Sequence, residues 1–461
     1  MVEIEALARG PGGARGRAVN DHRFIERLRA VDLIGRSGRV RRILPTAIEA
    51  DGPSLPLGAL CSVEAKSSMG RRMSASILAE VVGVDETAIT LAPFERGAST
   101  FSGARVVACQ EPDVVPIGDG FLGRAVDALA RPIDGLGDVR ADQYAALNGV
   151  ATTPLERTSP RRVLGTGIRA IDGLLTLGEG QRVGVFAASG VGKTTLMTQL
   201  ASGAATDCCV VCLVGERGRE VEALWSEGLS AETRARTALV AATSDQPAAM
   251  RVRAAHFALT LAEHWRGQGR HVLLVLDSVT RLAMAMREIG LAAGEPPTVR
   301  AYTPSVFAAL PRLVERCGAL KSGGAITAVI TVLAETDDVD DPISELMKSL
   351  LDGHLILSRE LAEQGHFPAI DAPRSVSRGA ETLVSEGHQA DAQEALNLLS
   401  AYEGARTLIE TGVYAAGANR DIDRAVERRP ALMTFLRQGR NEFASFEAIR
   451  GALATSLGGG H

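Results

Sequence analysis

The sequence lacks the features that define several large classes of protein. Aromatic residues make up 4% of its 461 positions, and its charges nearly balance, with 50 Lys and Arg against 55 Asp and Glu. This balance gives no electrostatic reason to expect nucleic acid as the main partner. No apolar run approaches the roughly 18 residues that span a bilayer, and the N-terminus lacks the apolar segment of a signal peptide. We therefore expect a cytoplasmic protein.

Cysteine is also scarce, with six residues in the chain. So few cysteines in so long a chain do not predict a disulfide framework. Cys208, Cys209 and Cys212 lie together in an apolar run, and no second Cys or His cluster is close enough in the sequence to complete a metal site. Because a free thiol behaves as a small hydrophobe, we interpret all three as buried strand residues.

Length and local pattern divide the chain into five segments. A chain of 461 residues exceeds one ordinary core, so several domains are expected. The predicted segments are an N-terminal tail (1–30), a β-barrel domain (31–110), a connector (111–160), an α/β nucleotide-binding domain (161–380) and a helical domain (381–461). The N-terminal tail fits a frayed terminus with a surface helix and a partner-binding helix equally well.

The patterns inside these segments support that division. Short apolar stretches broken by Gly, Pro and Asp predict a small barrel or sandwich near the N-terminus. Its only aromatics are Phe94 and Phe101, which favours a structural role over base stacking. Farther along, continuous apolar runs alternate with helices, which indicates a parallel sheet covered on both faces. The predicted strands of that sheet are 182–187, 210–214, 271–277 and 325–333.

A Gly-rich loop between a strand and a helix carries the strongest chemical signal. Residues 187–196 read Ala-Ala-Ser-Gly-Val-Gly-Lys-Thr-Thr-Leu, the context of a phosphate-binding P-loop, although Ala187 stands where Gly is usual. Backbone N–H groups would face the phosphates of ATP, Lys193 would add charge at the β- and γ-phosphates, and Thr194 would offer a hydroxyl to Mg²⁺. The predicted ATP-contacting residues are Ser189, Gly190, Val191, Gly192, Lys193, Thr194 and Thr195.

Two acidic positions follow apolar strands farther along the chain. Asp277 ends one strand, where a carboxylate can hold Mg²⁺ or its water shell, although taken alone it could also cap a helix. The segment 215–220 contains Glu216 and Glu220, and either could orient and polarise the attacking water. Spacing alone does not choose between these two carboxylates, and a salt-bridged loop is the plain alternative.

Two further segments are open to more than one interpretation. Arg378 follows the stretch 367–377 and could be a structural ion-pair residue or an arginine finger. The acidic run 337–341 resembles a metal site, but Pro342 follows it directly. We interpret that run as a solvated loop that begins a helix.

Several motifs together resemble the flagellar and type III secretion ATPases, which are relatives of the α and β subunits of rotary ATP synthases. The resemblance extends from about residue 35 to residue 453 and is specific across the core. The segments that carry it are 166–176 (TGIRAIDGLLT), 188–194 (ASGVGKT), 215–221 (GERGREV), 276–285 (LDSVTRLAMA) and 368–377 (PAIDAPRSVS).

The resemblance implies a fold, a mechanism and a set of partners. The implied fold is α/β, a RecA-like P-loop core with an N-terminal β-barrel domain and a C-terminal helical domain. It implies an ATP-hydrolysing homohexamer in which Glu216 is the catalytic carboxylate and Arg217 its neighbour in the site. It further implies that Arg378 is a finger reaching the next subunit's nucleotide and that Phe367 packs on adenine.

The implied partners are a stator-like regulatory subunit, a central stalk protein, export chaperones and export substrates, and indirectly a membrane export gate. The expected place is the cytoplasmic face of the inner membrane. A flagellar apparatus is favoured over a virulence one because of the segment 435–439 with Phe443 and Phe446. Alternatives are a rotary ATP synthase catalytic subunit, a non-catalytic ring subunit and an RNA-translocating hexamer, whose aromatic and basic RNA contacts are missing.

Two residues depart from the pattern of the family. Ala188 stands where a Gly normally follows position 187, and Ala301 stands where Gly tends to precede Tyr302. A methyl group restricts the backbone wherever a positive φ is needed. Because neither change removes a chemical group, we expect at most an altered rate.

Overall fold

The computed structural model describes residues 37–66, 75–95, 100–109, 113–149, 152–333 and 341–458. The predicted tail at 1–30 and the acidic positions 337–340 lie outside these described residues. Asp341 is described, and its carboxylate caps the following helix by accepting a hydrogen bond from the backbone N–H of Ser344.

The first domain is a closed barrel of six short antiparallel strands, joined in the order β1-β2-β5-β4-β3-β6. Inward and outward residues alternate, as in β3, where Cys61, Val63 and Ala65 are buried. Phe94 is buried beneath the Arg253 guanidinium, so it offers no open face for base stacking. The strands are β1 (Ser37–Ile43), β2 (Ile48–Ala50), β3 (Leu60–Ala65), β4 (Ala75–Val84), β5 (Ile89–Pro93) and β6 (Arg105–Ala108).

The segment expected to be a connector contains four short strands, the last of which is β10 (Arg157–Thr158). β7 (Val114–Ile117) and β9 (Gln143–Ala146) pair antiparallel as a separate ribbon. β8 (Ala125–Val126) instead joins the edge of the central sheet, parallel to residues 239–240. Part of this segment therefore belongs to the nucleotide-binding sheet, a pairing that its Pro- and Gly-rich sequence did not reveal.

The second domain is built on a ten-stranded sheet. Its main path runs β20-β19-β13-β18-β16-β14-β15-β8, with β17 and β10 attached beside β18. The seven strands from β19 to β8 are parallel to their neighbours along that path. The remaining strands are β10 (Arg157–Thr158), β11 (Val163–Leu164), β12 (Leu177–Gly178), β13 (Arg182–Ala187), β14 (Cys208–Val214), β15 (Thr237–Ala242), β16 (His271–Asp277), β17 (Gly318–Leu320), β18 (Ala325–Leu333), β19 (Gly353–Ile356) and β20 (Val376–Ser377).

Helices cover both faces of this sheet, as the continuous apolar strands require. Phe257 and Trp265 belong to the hydrophobic core on one face, and Met197 and Leu200 belong to the core on the other. The helices are α1 (Arg169–Leu174), α2 (Lys193–Gly203), α3 (Gly218–Ala223), α4 (Ala231–Ala235), α5 (Ala248–Gly267), α6 (Val279–Ala292), α7 (Pro304–Glu315), α8 (Pro342–Leu350) and α9 (Arg359–Glu363).

The three clustered cysteines are buried on β14, as the sequence predicted. Burial raises the pKa of the Cys208 and Cys209 thiols to about 12. These thiols are therefore core residues and not reactive thiolates at neutral pH.

The last domain is helical and packs on α1, where Leu432, Phe435 and Leu453 are buried with Ile171 in one core. Its helices are α10 (Glu386–Glu410), α11 (Arg420–Leu436) and α12 (Phe446–Ser456). In the part of the chain that the structure describes, no helix combines the length and the apolar character needed to cross a membrane.

Candidate active site

The P-loop joins the end of β13 to the start of α2. Gly190 and Gly192 adopt left-handed backbone conformations, with φ of 83° and 90°, which only glycine adopts without strain. Ser189, Gly190 and Thr194 are exposed, whereas Val191 is buried under the loop. The first N–H groups of a helix have no partner within the helix, so the start of α2 offers donors to an anion.

Three charged side chains meet behind this loop. Lys193 Nζ donates a hydrogen bond to Asp277 Oδ1 at 2.6 Å and lies 3.5 Å from Glu216 Oε1. Glu216 and Asp277 are only 5% and 2% exposed. Glu216 follows β14 and Asp277 ends β16, and these neighbouring strands are parallel. Their carboxyl ends therefore bring both carboxylates to the same edge of the sheet as the P-loop.

The two candidate catalytic carboxylates differ in environment. Burial, a hydrogen bond with Glu220 and the charge of Asp277 raise the pKa of Glu216 to about 7. The same hydrogen bond lowers the pKa of Glu220, which is more exposed. A buried carboxyl with a pKa near neutrality suits a general base, so the environment favours Glu216 over Glu220.

The neighbouring arginines take different positions. The guanidinium of Arg281, on the first turn of α6, donates to the backbone carbonyl of Gly215 and lies 3.4 Å from Glu216 Oε2. Arg217, although adjacent to Glu216 in sequence, is largely exposed, with its guanidinium 3.9 Å from Glu220 Oε1. Arg281 therefore holds the buried carboxylate, and Arg217 faces the solvent above it.

The predicted Mg²⁺ ligands fit a nucleotide-bound ion. Asp277 does not cap α6, because Ser278 does so by accepting a hydrogen bond from the backbone N–H of Arg281. Asp277 Oδ1 instead accepts from the Thr331 hydroxyl at 2.6 Å as well as from Lys193. A carboxylate beside the exposed Thr194 hydroxyl is the oxygen set that Mg²⁺ prefers.

No group of three or more His, Cys, Asp or Glu in the described ranges is arranged to hold a metal ion by itself. This finding agrees with a nucleotide-bound ion, since Mg²⁺ at such sites needs one or two protein ligands and takes the rest from phosphates and water.

A pocket of about 490 Å³ opens beside the first turn of α2 and is lined by Gly192, Gln199 and Phe367. Phe367 is 41% exposed, and its ring approaches the backbone of Gly192. Residues 437–440 of the helical domain also line this pocket. An exposed aromatic ring beside a phosphate loop can stack on a nucleotide base.

Arg378 lies at the opposite edge of the sheet. Its backbone N–H donates to Asp352, whose own N–H donates to Arg182 at the amino end of β13. The P-loop follows the carboxyl end of the same six-residue strand, a separation of ~20 Å at about 3.3 Å per residue. The Arg378 side chain is exposed, and its guanidinium has no hydrogen bond or ion pair within the described chain.

The two alanines that depart from the family pattern behave differently. Ala188 is buried and its backbone is not left-handed, so its methyl group fits the loop. Ala301 and the preceding Arg300 have φ of 60° and 51°, in the left-handed region. A methyl group there costs roughly 1 kcal/mol, so the turn before the buried Tyr302 is strained.

Sequence reasoning missed several residues that line the site. Arg281 lies in the first turn of the helix that follows the Asp277 strand, and its sequence position alone did not indicate a contact with Glu216. Thr331 is a polar residue inside the apolar strand β18, which is itself a signal of a buried contact. Residues 437–440 of the base pocket gave no such signal, because they come from a distant segment of the chain.

A phosphate loop, two carboxylates on neighbouring parallel strands and a base pocket are together the features of a P-loop ATPase core. The sequence profile of the ATP synthase alpha/beta family, nucleotide-binding domain, matches residues 167–377. The profile of the T3SS EscN ATPase C-terminal domain matches residues 384–455.

Individual relatives cover nearly the whole chain. The flagellum-specific ATP synthase of Bacillus subtilis is 44% identical over 95% of this chain and 98% of its own length. The type 3 secretion system ATPase of Sinorhizobium fredii is 45% identical over 90% of both. The chain belongs to the family of flagellum-specific and type III secretion ATPases, which confirms the sequence-based identification.

Solved structures of EscN, the ATPase of the enteropathogenic E. coli type III secretion system, show the same fold. The assembled ATPase superposes with a TM-score of 0.85 at 39% identity, covering 91% of this chain and 100% of that one. EscN in complex with its central stalk EscO gives a TM-score of 0.82 at 38% identity, with the same coverage. The predicted fold, a barrel, a RecA-like core and a helical domain, is therefore confirmed.

Proposed function

We propose that this protein hydrolyses ATP in a homohexameric ring and energises protein export through a type III apparatus. The observation that carries this proposal is the convergence of Lys193, Glu216 and Asp277 at the edge of the sheet where the P-loop lies. Family membership supports it, because relatives that bear the names of flagellar and secretion ATPases align over almost the full chain.

The residues of this chain divide the chemistry between them. The N–H groups at the start of α2 bind the phosphates. The Lys193 ammonium group, which pairs with the two carboxylates in this structure, pairs with the β- and γ-phosphates when ATP binds. Thr194 and Asp277 would hold Mg²⁺, which supplies charge neutralisation at the phosphate oxygens when bound. Glu216, in its deprotonated form, orients the attacking water and accepts its proton.

The position of Arg378 supports action in trans. The backbone of Arg378 lies at the amino end of β13, one strand length (~20 Å) from its own P-loop, which is too far for its side chain to reach the phosphates bound there. A second copy that packs head to tail would present this arginine to the first copy's nucleotide, and repetition of that contact closes a ring. This geometry favours a catalytic homo-oligomer over a ring subunit that only binds nucleotide.

Mixing two inactive variants tests the ring and the finger together. Arg378→Ala retains Glu216, and Glu216→Gln retains Arg378, so a mixed interface rebuilds one complete site. Random assembly at equal amounts completes about a quarter of the interfaces in a head-to-tail ring. We expect activity to return on mixing, in rings whose mixed composition is confirmed by native mass spectrometry.

The absence of recovery in confirmed mixed rings would refute action in trans. An arginine that serves its own subunit gives no rescue, because every site then carries one lesion or the other. Wild-type protein that neither binds nor hydrolyses ATP would refute the proposed function itself.

The proposal extends to cellular partners. We infer a cytoplasmic protein at the inner face of the membrane, associated with a stator-like regulatory subunit, a central stalk, export chaperones and their substrates, and indirectly with a membrane export gate. The central stalk is supported by the EscN–EscO complex. A flagellar apparatus is the favoured setting, with a virulence apparatus as the alternative, since relatives of both kinds are similarly identical. Proteins that co-purify from native cells would distinguish the two: hook proteins and flagellar chaperones, or virulence effectors.

A further inference from the structure

The wall of the base pocket that comes from the helical domain is formed by a loop without regular structure. Helix α11 ends at Leu436 and α12 begins at Phe446, so residues 437–445 lie between two helices. Arg437, Gly439 and Arg440 of this loop line the pocket together with Phe367. A loop needs specific contacts if it is to hold one shape, because each ordered residue loses backbone entropy.

One side chain of this loop, Gln438, is 3% exposed and fully hydrogen-bonded. Its Oε1 accepts the backbone N–H of Arg169 at 2.8 Å. Its Nε2 donates to the backbone carbonyl of Gly167 at 2.7 Å and also to that of Glu442. The amide therefore joins the start of α1 to Glu442 of its own loop, and each of its polar atoms is used.

The backbone of the same residue reaches the base pocket. The N–H of Gln438 donates to the carbonyl of Phe367 at 2.8 Å. The adjacent Gly439 accepts a hydrogen bond from Gln199 Nε2, on the P-loop helix, at 3.3 Å. Gln438 thus links Phe367, the two arginines of its own loop and the nucleotide-binding domain.

We propose that Gln438 is a positioning residue for nucleotide-base recognition: it fastens the helical domain to the P-loop domain so that Arg437 and Arg440 line the base pocket together with Phe367. This inference rests on the proposed nucleotide site. Because the base lies between the two domains, the hydrogen bonds of Gln438 also make base binding and domain docking dependent on each other. The triphosphate, in contrast, is held by the P-loop, which Gln438 does not touch.

A ligand with a triphosphate but no base separates this role from a general structural one. Gln438→Leu leaves the backbone groups of Gly167 and Arg169 without their buried partners. We expect the Kd for ATP, measured by calorimetry with Mg²⁺, to rise about tenfold. The Kd for inorganic tripolyphosphate with Mg²⁺ should change less than about twofold, and the kinetic defect should fall on KM more than on kcat.

A matched control is Gln393→Leu, which makes the same change at an exposed position of α10 whose amide donates a hydrogen bond to Asn397. It should leave both affinities unchanged. If Gln438→Leu fails to fold, Gln438→Asn decides the question, because it keeps the amide but shortens its reach by one methylene; we expect a smaller effect that is again confined to ATP.

Equal weakening of ATP and tripolyphosphate by either folded variant would overturn the inference, as would ATP binding at wild-type affinity. If the wild-type protein binds tripolyphosphate as tightly as ATP, the base pocket does not contribute to binding, and the inference about Gln438 has no basis. Failure of the wild type to bind either ligand would instead contradict the proposed function.

Discussion

The two edges of the central sheet present their charges in opposite ways. At the carboxyl edge, Lys193, Glu216 and Asp277 are largely buried, and Lys193 lies within ion-pair distance of both carboxylates. At the amino edge, Arg378 is exposed, and its guanidinium has no partner in the chain as described. In the proposed mechanism, the first edge supplies the lysine and the carboxylates, and the second edge supplies the arginine finger. A single copy of the chain would then carry two complementary halves of a site.

Substitution of Arg378 should give the largest change in turnover. Arg378→Ala removes charge from the transition state in the neighbouring subunit, and arginine fingers contribute ~10³–10⁵ in kcat. ATP should still bind with nearly wild-type affinity, because the P-loop of each subunit is intact. Steady-state hydrolysis and equilibrium binding on the same preparation measure both quantities.

Arg359→Ala is the matched control, since Arg359 is an exposed arginine on α9. It should hydrolyse ATP at the wild-type rate. Loss of ATP affinity in Arg378→Ala, together with the loss of turnover, would contradict the comparison, because Arg378 would then contribute to its own subunit's binding edge.

Glu216→Gln tests the carboxyl edge by removing the general base. The amide keeps the size of the side chain but cannot accept the proton, so the rate should fall by ~10²–10⁴ while ATP remains bound. Glu222→Gln, at an exposed position on α3, should be without effect. Normal hydrolysis by Glu216→Gln combined with an inactive Glu220→Gln would show that the other carboxylate is the base.

Lys193→Ala tests whether the carboxyl edge needs the charge of this lysine in order to bind and hydrolyse ATP. The loss of one preorganised charge at the phosphates costs ~10²–10³ in kcat, and ATP should also bind more weakly. Lys321→Ala, which removes an exposed lysine remote from the P-loop, serves as the control and should leave hydrolysis unchanged. Unchanged hydrolysis by Lys193→Ala would refute the P-loop assignment.

Much of this architecture could be read from the sequence because its signals are local. The strands at 182–187, 271–277 and 325–333 were predicted to the residue, since each is a continuous apolar run with polar residues or glycine close to its ends. Strand β15 was missed: its short run 237–242 is rich in alanine, which fits a helix as well as a strand. The pairing of β8 could not be foreseen either, because two residues at a sheet edge carry no periodicity.

The same difference between local signals and distant contacts applies to the site. Lys193 and Asp277 belong to motifs with a fixed strand context, so their meeting could be inferred before the geometry was known. The choice between Glu216 and Glu220 required burial, which spacing does not report. Gln438 and the base pocket wall depend on contacts between residues more than 200 positions apart, and no local pattern encodes such a contact.

The smallest predicted effect concerns the pH dependence of the carboxyl edge. The pKa of Glu216 is raised to about 7, so below that pH most of the base is protonated and inactive. In kcat/KM, which reports the free enzyme, activity should therefore rise with pH and level off above about pH 7.

Part of the shift comes from the Glu220 carboxylate, which accepts a hydrogen bond from protonated Glu216 and so stabilises that form. Glu220→Gln weakens this acceptor, and the rising limb should move to lower pH by roughly one unit, which gives about fivefold more activity at pH 6 and almost none extra at pH 8. Burial and Asp277 remain, so the pKa should stay above that of an ordinary glutamate. A rising limb that does not move, with Glu222→Gln as the reference, would show that the two carboxyls do not share a proton.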